Sequence, residues 1–493
     1  MTLIACNDRV TISPRRITSC HYPRDKELTG LRYESEGFVG EEQIRNGSIT
    51  IPLLGPSITF VFAEGFHMKT TRRELIFTGG KVALGASVAA SLGSALSASA
   101  AAADKVTINF PYLWAGPEGD AIQKIADAFN ASQDQIEVKG VSNPDAQRQL
   151  AAMTSRNGFD VSDNFDTNIA TWASKKALEP LDEYIAGESY DTSDFIASVF
   201  SKMQFDGKTY SLPIAVHTTL LLTNDSLLSA ASIKTPKTIS ELATAVDKLT
   251  VLDGSGNITQ LGMNQPDFIS LAYSFGGQWM DADGKPTAND PGNIAALQFW
   301  VDNVLNKYGV DKVKRFLSGF GEYASAQAPF YTGKVAMITD GEWQSQFIKQ
   351  YAPDLKWSAG PVPVADAKPE LAGTAGLAAS TFFIPANSHH KTEAWEFLKY
   401  LVSIEPMRDF TLALANLPAR SSLLDDPAYA AIPGMSFWLE SLKSPNLKSM
   451  PNVTWGQEYN TEITSAIDSV LDLSKTPEQA LNDLQSKAED LAK

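Results

Sequence analysis

The chain has 493 residues, 43% of them hydrophobic and 20% charged, and a net charge of −16 at neutral pH. This composition is typical of a globular protein with two or three domains, and it excludes a disordered chain. The negative charge argues against nucleic acid or an anionic membrane surface as the main partner. Both cysteines, Cys6 and Cys20, precede residue 104, so the rest of the chain has no disulfide or cysteine metal ligand.

Residues 68–103 have the pattern of an export signal. Lys69, Arg72 and Arg73 form a basic start, and an apolar stretch diluted by glycine follows over residues 75–96. The arginine pair resembles a twin-arginine signal, with the general secretory route as the alternative. A membrane-anchored helix is a further alternative, because some 20 apolar residues could span a bilayer.

The end of this segment favours cleavage over anchoring. It is rich in alanine and serine, with A-x-A sites that end at Ala100 or Ala103. Because no cysteine follows the apolar stretch, a lipoprotein is not expected, and we predict a free periplasmic protein. We also predict that Met68 is the true start and that residues 1–67 are a non-native upstream extension, since they show no clear helical or strand period.

The remainder of the chain, residues 104–493, alternates strands and amphipathic helices. Residues 106–110 and 136–141 read as strands, and a helix after Gly116 places Ile122 and Phe129 on one face. Further helical periods run through residues 294–304, 395–402, 463–471 and 481–491. Such alternation predicts an α/β protein whose sheets are covered by helices.

Three extended stretches are predicted to cross between two lobes. They span residues 211–222, 368–384 and 444–455, and they contain proline or glycine. Three crossings between two α/β lobes would create a central cleft with a hinge at its base, which suits ligand capture and closure. The predicted lobe boundaries are 104–215 with 371–447 for the N-terminal lobe, and 216–370 with 448–493 for the C-terminal lobe.

Several segments, taken in order, resemble those of the extracellular solute-binding family 1, which includes maltose-binding and other sugar-binding proteins. The segments are residues 177–182 (ALEPLD), 207–213 (GKTYSLP), 222–228 (LTNDSLL), 330–337 (FYTGKVAM), 341–343 (GEW), 393–401 (EAWEFLKYL) and 417–420 (LPAR). Two positions depart from the family pattern. Thr223 stands where the family usually has tyrosine, and Lys176 stands where it has glycine.

The resemblance implies a two-lobed periplasmic-binding-protein type II fold with three hinge crossings. It also implies the substrate-binding component of an ABC importer that delivers a sugar or oligosaccharide to membrane permease subunits. We expect a monomer with no cofactor, no metal and no enzymatic activity. The alternatives are a binder of a polyol, a glycerol phosphodiester or another polar solute, a sensory receptor, and a secreted carbohydrate-active enzyme with carboxylates such as Asp166 and Glu342 across the cleft.

Sugars present apolar faces and rings of hydroxyl groups, so their binding sites need aromatic side chains and polar groups. Trp300, Trp395 and Trp438 lie on apolar helix faces and are expected in the core. Four tryptophans stand beside glycine or proline or at strand ends, and they are the aromatic candidates: Trp114, Trp279, Trp343 and Trp455. In the family, the tryptophan that matches Trp343 often stacks on a sugar ring.

The polar candidates are residues that can accept or donate hydrogen bonds to hydroxyl groups. They are Asp166, Asn168, His217, Thr218, Asp267, Asp340, Glu342 and Arg420. Gly276 and Gly376 complete the predicted site, because glycine allows close backbone approach or hinge motion. For each polar residue, a solvated or salt-bridged surface group is the alternative interpretation.

Overall fold

The computed structural model describes residues 105–493, except 144, 145, 154, 156, 157, 282, 322 and 451, together with six short strands within residues 2–61. The chain divides into two compact units, Met1–Ala98 and Ser99–Lys493. The predicted export signal at residues 68–103 lies outside the described residues. Among the residues that are described, no helix is both long and apolar enough to cross a membrane.

The first unit contains strands, although its sequence shows no clear period. The strands are β1 (Thr2–Cys6), β2 (Arg9–Ser13), β3 (Leu31–Ser35), β4 (Phe38–Glu42), β5 (Ser48–Ile51) and β6 (Ile58–Val61). β1 to β4 form one sheet in chain order, and β5 pairs with β6. Threonine, isoleucine and valine are frequent in these strands, which suits a pleated backbone.

The second unit has fourteen strands among its described residues. They are β7 (Val106–Tyr112), β8 (Ile136–Ser142), β9 (Ser162–Phe165), β10 (Gln204–Phe205), β11 (Lys208–Thr209), β12 (Ser211–Thr218), β13 (Leu220–Asn224), β14 (Val251–Leu252), β15 (Ile258–Gln260), β16 (Met337–Asp340), β17 (Trp357–Gly360), β18 (Ala375–Phe383), β19 (Leu417–Pro418) and β20 (Leu447–Lys448).

Helices surround these strands. They are α1 (Gly116–Ser132), α2 (Ala146–Met153), α3 (Ile169–Ser174), α4 (Asp182–Gly187), α5 (Ala197–Phe200), α6 (Asp225–Ala230), α7 (Ile239–Leu249), α8 (Phe268–Ser274), α9 (Pro291–Trp300), α10 (Asn306–Tyr308), α11 (Val310–Leu317), α12 (Gln344–Tyr351), α13 (Lys391–Leu401), α14 (Ile404–Leu414), α15 (Pro427–Ala430), α16 (Met435–Ser441), α17 (Gly456–Leu471) and α18 (Pro477–Leu491).

The helices and strands that we predicted from hydrophobic periodicity are confirmed. β7, β8, α1, α9, α13, α17 and α18 occupy the predicted stretches. Local signals set some of the helix starts: the Thr238 side chain caps α7, and Thr476 and Gln479 form a capping box at α18. Trp300, Trp395 and Trp438 are fully buried, as expected for core residues.

Two sheets organise the second unit. In the first sheet, the strand order is β19-β12-β18-β20, and β9 also pairs with β18. β12 and β18 run antiparallel, with Thr218 opposite Leu377 at one end and Ser211 opposite Phe383 at the other. The second sheet has the order β16-β13-β17, and both outer strands run antiparallel to β13.

The chain changes sheet at Thr219, because β12 ends in the first sheet at Thr218 and β13 begins in the second at Leu220. It returns to the first sheet between β17 and β18. After β20, helix α17 contacts α3 and the loop that follows α8. Trp172 Nε1 in α3 donates to Gln457 Oε1, and the Tyr459 hydroxyl donates to the carbonyl oxygen of Trp279. The first two passages lie in the predicted stretches 211–222 and 368–384, and the contacts of α17 begin just beyond the third predicted stretch, 444–455.

A buried ion pair fixes the third of these stretches to the first sheet. Lys202 Nζ lies 2.8 Å from Asp166 Oδ2 and donates to the Met450 carbonyl oxygen at 3.2 Å. Asp166 Oδ1 accepts the backbone N–H of Ala379 in β18 at 3.1 Å. The segment that follows β20 is therefore held to β18 through two charged side chains that are almost completely buried.

Candidate ligand-binding cleft

A cavity of about 960 Å³ is lined by strands of the first sheet, by helices α8 and α12, and by residues 448–450 at and after the end of β20. The first-sheet side contributes the loop after β7, the start of α1, and parts of β9, β12 and β18. On the opposite side, the cavity is lined by α8, α12, residues 323–324 and residue 343. We call this the second-sheet side, because Asp267 and Tyr323 are hydrogen-bonded to β16 of the second sheet. We call this cavity the cleft. Its volume is that of a site for a small organic ligand.

Aromatic rings from both sides face the cleft. Trp114 follows β7 and packs edge-on against Phe410, with ring centres 4.8 Å apart. Phe165 ends β9 and is 49% exposed, which is unusual for a large apolar side chain in a strand. Trp343, from the opposite side, completes a row in which the His217 ring lies between it and Phe165. Such rings can cover the apolar faces of a sugar.

Gly341 allows the Trp343 ring to occupy its position beside the backbone. A Cβ atom at residue 341 would overlap the Trp343 ring, so only glycine lets the ring fold back over the backbone. The Trp343 Nε1–H donates to the Tyr323 hydroxyl at 2.5 Å, and that hydroxyl donates to the Asp340 carboxylate, 3.0 Å away. The orientation of Trp343 is therefore fixed by both backbone and side chains.

His217 lies on the floor of the cleft and is held at both ring nitrogens. Its Nδ1 lies 2.7 Å from Glu342 Oε1, and its Nε2 lies 2.8 Å from the Ser380 hydroxyl. Because a carboxylate accepts hydrogen bonds, the N–H group of the ring is at Nδ1 and donates a hydrogen bond to Glu342. Glu342 is 0% exposed and also accepts from Asn416 Nδ2 at 3.0 Å and from the backbone N–H of Thr218 at 3.3 Å. Glu342 thus positions His217 without reaching the cleft itself.

Asp163 is a residue of the cleft lining whose carboxylate is almost completely buried. It is only 2% exposed, and its Oδ1 accepts the backbone N–H of Leu113 at 2.8 Å. Among the described residues, no cation contributes to the electrostatics of this carboxylate, and the backbone N–H of Asp163 itself is a second donor to it. Burial raises the pKa of Asp163 to about 7, and the N–H of Leu113 opposes this rise. A ligand hydroxyl group is a suitable further donor to this carboxylate.

Asp267 and Gly376 meet where the two sheets join. Asp267 caps α8 by accepting the N–H of Ile269, and its Oδ2 accepts from the Ser270 hydroxyl at 2.6 Å. A Cβ on Gly376 would lie 2.5 Å from the Ser270 oxygen, so glycine is needed for this close approach. Both residues line the cleft.

The charges that line the cleft are mostly negative. Glu118, Asp163 and Asp267 contribute carboxylates, whereas Lys448 is the one lysine or arginine among the described lining residues. Burial raises the pKa of Glu118, and the nearby His217 offsets part of this rise. The lining therefore favours hydroxyl-group donors over a phosphate or carboxylate ligand.

Five of the fourteen predicted site residues line the cleft: Trp114, His217, Asp267, Trp343 and Gly376. Asp340 lies next to it, in the wall of an adjoining chamber. Thr218 and Glu342 lie beneath the floor, where Thr218 is buried against the Ser441 hydroxyl. These two residues act on the site through the side chains they hold.

The other predicted residues lie away from the cleft lining. Asp166 pairs with Lys202, Asn168 donates to Asn164 Oδ1, and the Arg420 guanidinium is buried against Phe195 and donates to the Val402 carbonyl. The remaining three are Gly276, which is covered by the Lys368 side chain, Trp279, which is buried, and Trp455, which packs on Tyr459. Their predicted ligand contacts have no support from these positions.

Sequence reasoning missed several cleft residues, including Glu118, Asp163, Phe165 and Tyr323. We placed the loop at Asp166 and Asn168, but β9 itself, at Ser162–Phe165, carries the cleft side chains. The pairing of Asp163 opposite Phe382 depends on a strand more than 200 residues away, so no local pattern indicates it. Phe165 could have been suspected as an aromatic residue next to polar groups at a strand end.

The family model for bacterial extracellular solute-binding proteins matches residues 115–407. The chain belongs to this family. The solute-binding protein is 26% identical over 323 residues to a binding protein of Brucella abortus, covering 64% of this chain and 75% of the relative. It is 25% identical over 420 residues to the sn-glycerol-3-phosphate-binding periplasmic protein of Escherichia coli, covering 80% of this chain and 94% of the relative.

Among solved structures, the mannobiose-bound form of CpMnBP1 is similar to this solute-binding protein. The TM-score is 0.69 with 27% sequence identity, over 78% of this chain and the whole of that chain. The α/β fold of the solute-binding protein is therefore the two-lobed periplasmic-binding-protein type II fold that we predicted. In this chain the cleft lies between strands of the first sheet and helices α8 and α12.

Proposed function

We propose that this protein is the substrate-binding component of an ABC importer and that it binds a neutral sugar or oligosaccharide in the cleft. One observation carries the proposal. Aromatic rings (Trp114, Phe165 and Trp343) and hydrogen-bond acceptors (Asp163 and Asn164) line a single cavity between strands of the first sheet and helices α8 and α12. This combination matches the apolar faces and hydroxyl edges of a sugar.

Similarity to CpMnBP1, solved with mannobiose, supports a saccharide ligand. The protein would be exported by residues 68–103, remain in the periplasm as a monomer, and dock on membrane permease subunits after it closes. It would release its ligand unchanged. Residues 1–67 would be absent from the mature protein, and the two lobes would comprise residues 104–215 with 371–447 and residues 216–370 with 448–493.

The carboxylate pair that would suit a glycosidase does not reach the cleft. Asp166 and Glu342 are 1% and 0% exposed, and both are engaged by buried partners. Neither can approach a glycosidic bond of a ligand in the cleft, as the acid and base of such an enzyme must. The position of Asp166 and Glu342 therefore does not support the glycosidase alternative that is based on this pair.

A glycerol phosphodiester is the second candidate ligand, because a relative of similar length is a glycerol-3-phosphate-binding protein. The lining of the cleft argues against it. Side-chain recognition of phosphate uses arginine or lysine, and among the described lining residues Lys448 is the one such cation, against three carboxylates. We therefore rank neutral saccharides above phosphodiesters.

Ligand binding would favour the closed arrangement of the lobes. A sugar held by Asp163 and Phe165 on one side and by Trp343 on the other makes both sets of contacts only when the cleft is narrow. The ligand shifts the equilibrium from the open to the closed state by the difference between its binding free energies for the two states. The permease would then recognise the closed form.

A thermal-shift screen tests the proposal with mono-, di- and oligosaccharides, polyols and glycerol phosphodiesters. A saccharide at one hundred times its Kd should stabilise the protein by about 2.7 kcal/mol, seen as a raised Tm. Trp343→Ala should remove this shift. Ile404→Ala, a change at an exposed apolar residue outside the cleft lining, should retain it. A shift with phosphodiesters alone would refute the sugar assignment.

A further inference from the structure

A second chamber of about 460 Å³ adjoins the cleft, and both cavities share Tyr323 and Ala324 in their walls. The chamber lies on the second-sheet side, under the end of β16. Its volume falls within the range of small-ligand sites. The two cavities are therefore separated by the thickness of residues 323–324, and a displacement of the Tyr323 side chain would join them.

The wall between the two cavities is formed chiefly by one aromatic side chain. Tyr323 is 64% exposed, so packing alone does not hold it. Its hydroxyl donates to Asp340 at 3.0 Å and accepts from Trp343 Nε1 at 2.5 Å. The following residue, Ala324, has φ of 57°, in the left-handed region that a residue with a Cβ seldom adopts. The hydrogen bonds of the hydroxyl therefore hold the ring where it lines both cavities.

The hydrogen bonds continue from the cleft into the chamber wall. Gln344 Nε2 donates to Asp340 Oδ2 at 2.7 Å, and the Tyr331 hydroxyl donates to Gln344 Oε1 at 2.7 Å. Together with Tyr323 and Trp343, these side chains form one chain of hydrogen bonds. The chamber and the most prominent aromatic residue of the cleft are therefore physically connected.

The chamber has free polar groups of the kind that bind hydroxyl groups. Asn264 and Gln265 line it, and their side-chain amides have no hydrogen-bond partner among the described residues. Asp340 is the one charged residue among the described residues of the lining, and Phe330 and Tyr331 supply aromatic surface. Free amides beside aromatic rings suit a neutral, hydroxyl-rich group better than an ion or a purely apolar one.

We propose that the chamber binds an additional sugar unit, so that the preferred ligand is an oligosaccharide that extends past Tyr323 and not a monosaccharide. This inference rests on the proposed function, because it assumes that the cleft binds a saccharide. Tyr323 contacts the ligand at the junction of the two cavities. Asn264 and Gln265 donate to and accept from the hydroxyl groups of the additional unit.

The test is calorimetric titration of the whole protein with manno- and malto-oligosaccharides of one to four units. The affinity of the wild type should rise at least tenfold at the length that first enters the chamber. Gln265→Trp fills the chamber from an exposed position and should reduce this gain to within twofold, while the shorter saccharide keeps its affinity. Gln278→Trp is the matched control, exposed and outside both linings, and should leave every affinity unchanged.

The outcomes separate the two proposals. Affinity that is independent of ligand length, or a gain with length that survives Gln265→Trp, would overturn the chamber assignment and leave the proposed function intact. An equal loss for short and long saccharides in Gln265→Trp would also overturn it, provided that the Tm is unchanged. If no saccharide of any length binds, both proposals fall.

Discussion

At the scale of single residues, Asp163 carries an unusual free energy cost. A carboxylate that is buried without a cation is less stable in its charged form, which is why burial raises its pKa to about 7. The folded state therefore binds a proton that the unfolded state has already released between pH 4 and pH 7. Stability should fall as the pH rises through this window, and the loss is complete above pH 7.

Asp163→Asn should remove this pH-dependent loss. We expect the variant to exceed the wild type in free energy of unfolding by on the order of 2–4 kcal/mol at pH 8 and to show no such gain at pH 4. Urea denaturation at both pH values measures the difference. Asp283→Asn, at an exposed turn outside the cleft lining, is the control. A pH-independent effect of Asp163→Asn would contradict the assigned titration.

Glu342 illustrates the opposite case, a buried carboxylate with three donors. In Glu342→Gln, an amide N–H group would face one of these donors, leaving buried groups unsatisfied at a cost of about 1–3 kcal/mol. We expect a lower free energy of unfolding and weaker ligand binding, because His217 loses its fixed orientation. Denaturation and calorimetry measure both effects. Glu440→Gln, at an exposed surface pair, should change neither, and unaltered binding in Glu342→Gln would argue against the positioning role.

At the scale of secondary-structure elements, the junction between β16 and α12 orients the cleft-facing tryptophan. Gly341→Ala should push the Trp343 ring away from its present place, since the added methyl group overlaps the ring. We predict at least a tenfold loss of ligand affinity with an altered tryptophan fluorescence spectrum. Gly360→Ala, where a Cβ meets no atom within 4 Å, is the matched control. Wild-type affinity in Gly341→Ala would show that this junction does not determine the ring position.

The segment after β20 is a second element whose position depends on a few contacts. Lys202→Met leaves Asp166 charged and buried without its cation, which should lower the free energy of unfolding by about 3–5 kcal/mol. Lys443→Met breaks an exposed pair and should cost less than about 1 kcal/mol. Equal effects of the two substitutions in chemical denaturation would contradict the structural importance of the buried pair.

The helices and the longer strands were predictable because each has its own hydrophobic period, as in α1, β7 and α18. The same logic identified the sheet changes, since proline and glycine interrupt the extended stretches. The site was only partly predictable. Whether Asp163 or Asp166 faces the cleft depends on the register of β9 against β18, and Tyr323 lies in a loop with no periodic pattern. Burial of Glu342 likewise arises from partners more than 70 residues away.

At the scale of the whole molecule, the chain passes between the two sheets after β12 and again after β17, and the cleft beside these passages has a mainly negative lining. The overall charge of −16 and the carboxylates of the cleft both give a negative electrostatic potential. Both disfavour anionic ligands, whereas neutral hydroxyl groups can donate to the carboxylates and lie against the rings. Ligand identity is therefore determined by the cleft lining, and the family fold supplies the closing frame around it.

Calorimetric titration of the protein with mannobiose, mannotriose, maltose and sn-glycerol 3-phosphate at pH 7.5 tests this account most directly. We expect that at least one saccharide binds with one-to-one stoichiometry and that the binding is lost in Trp343→Ala, while glycerol 3-phosphate gives no measurable heat of binding. Binding of glycerol 3-phosphate in preference to every saccharide would contradict the assignment of the cleft to a neutral sugar.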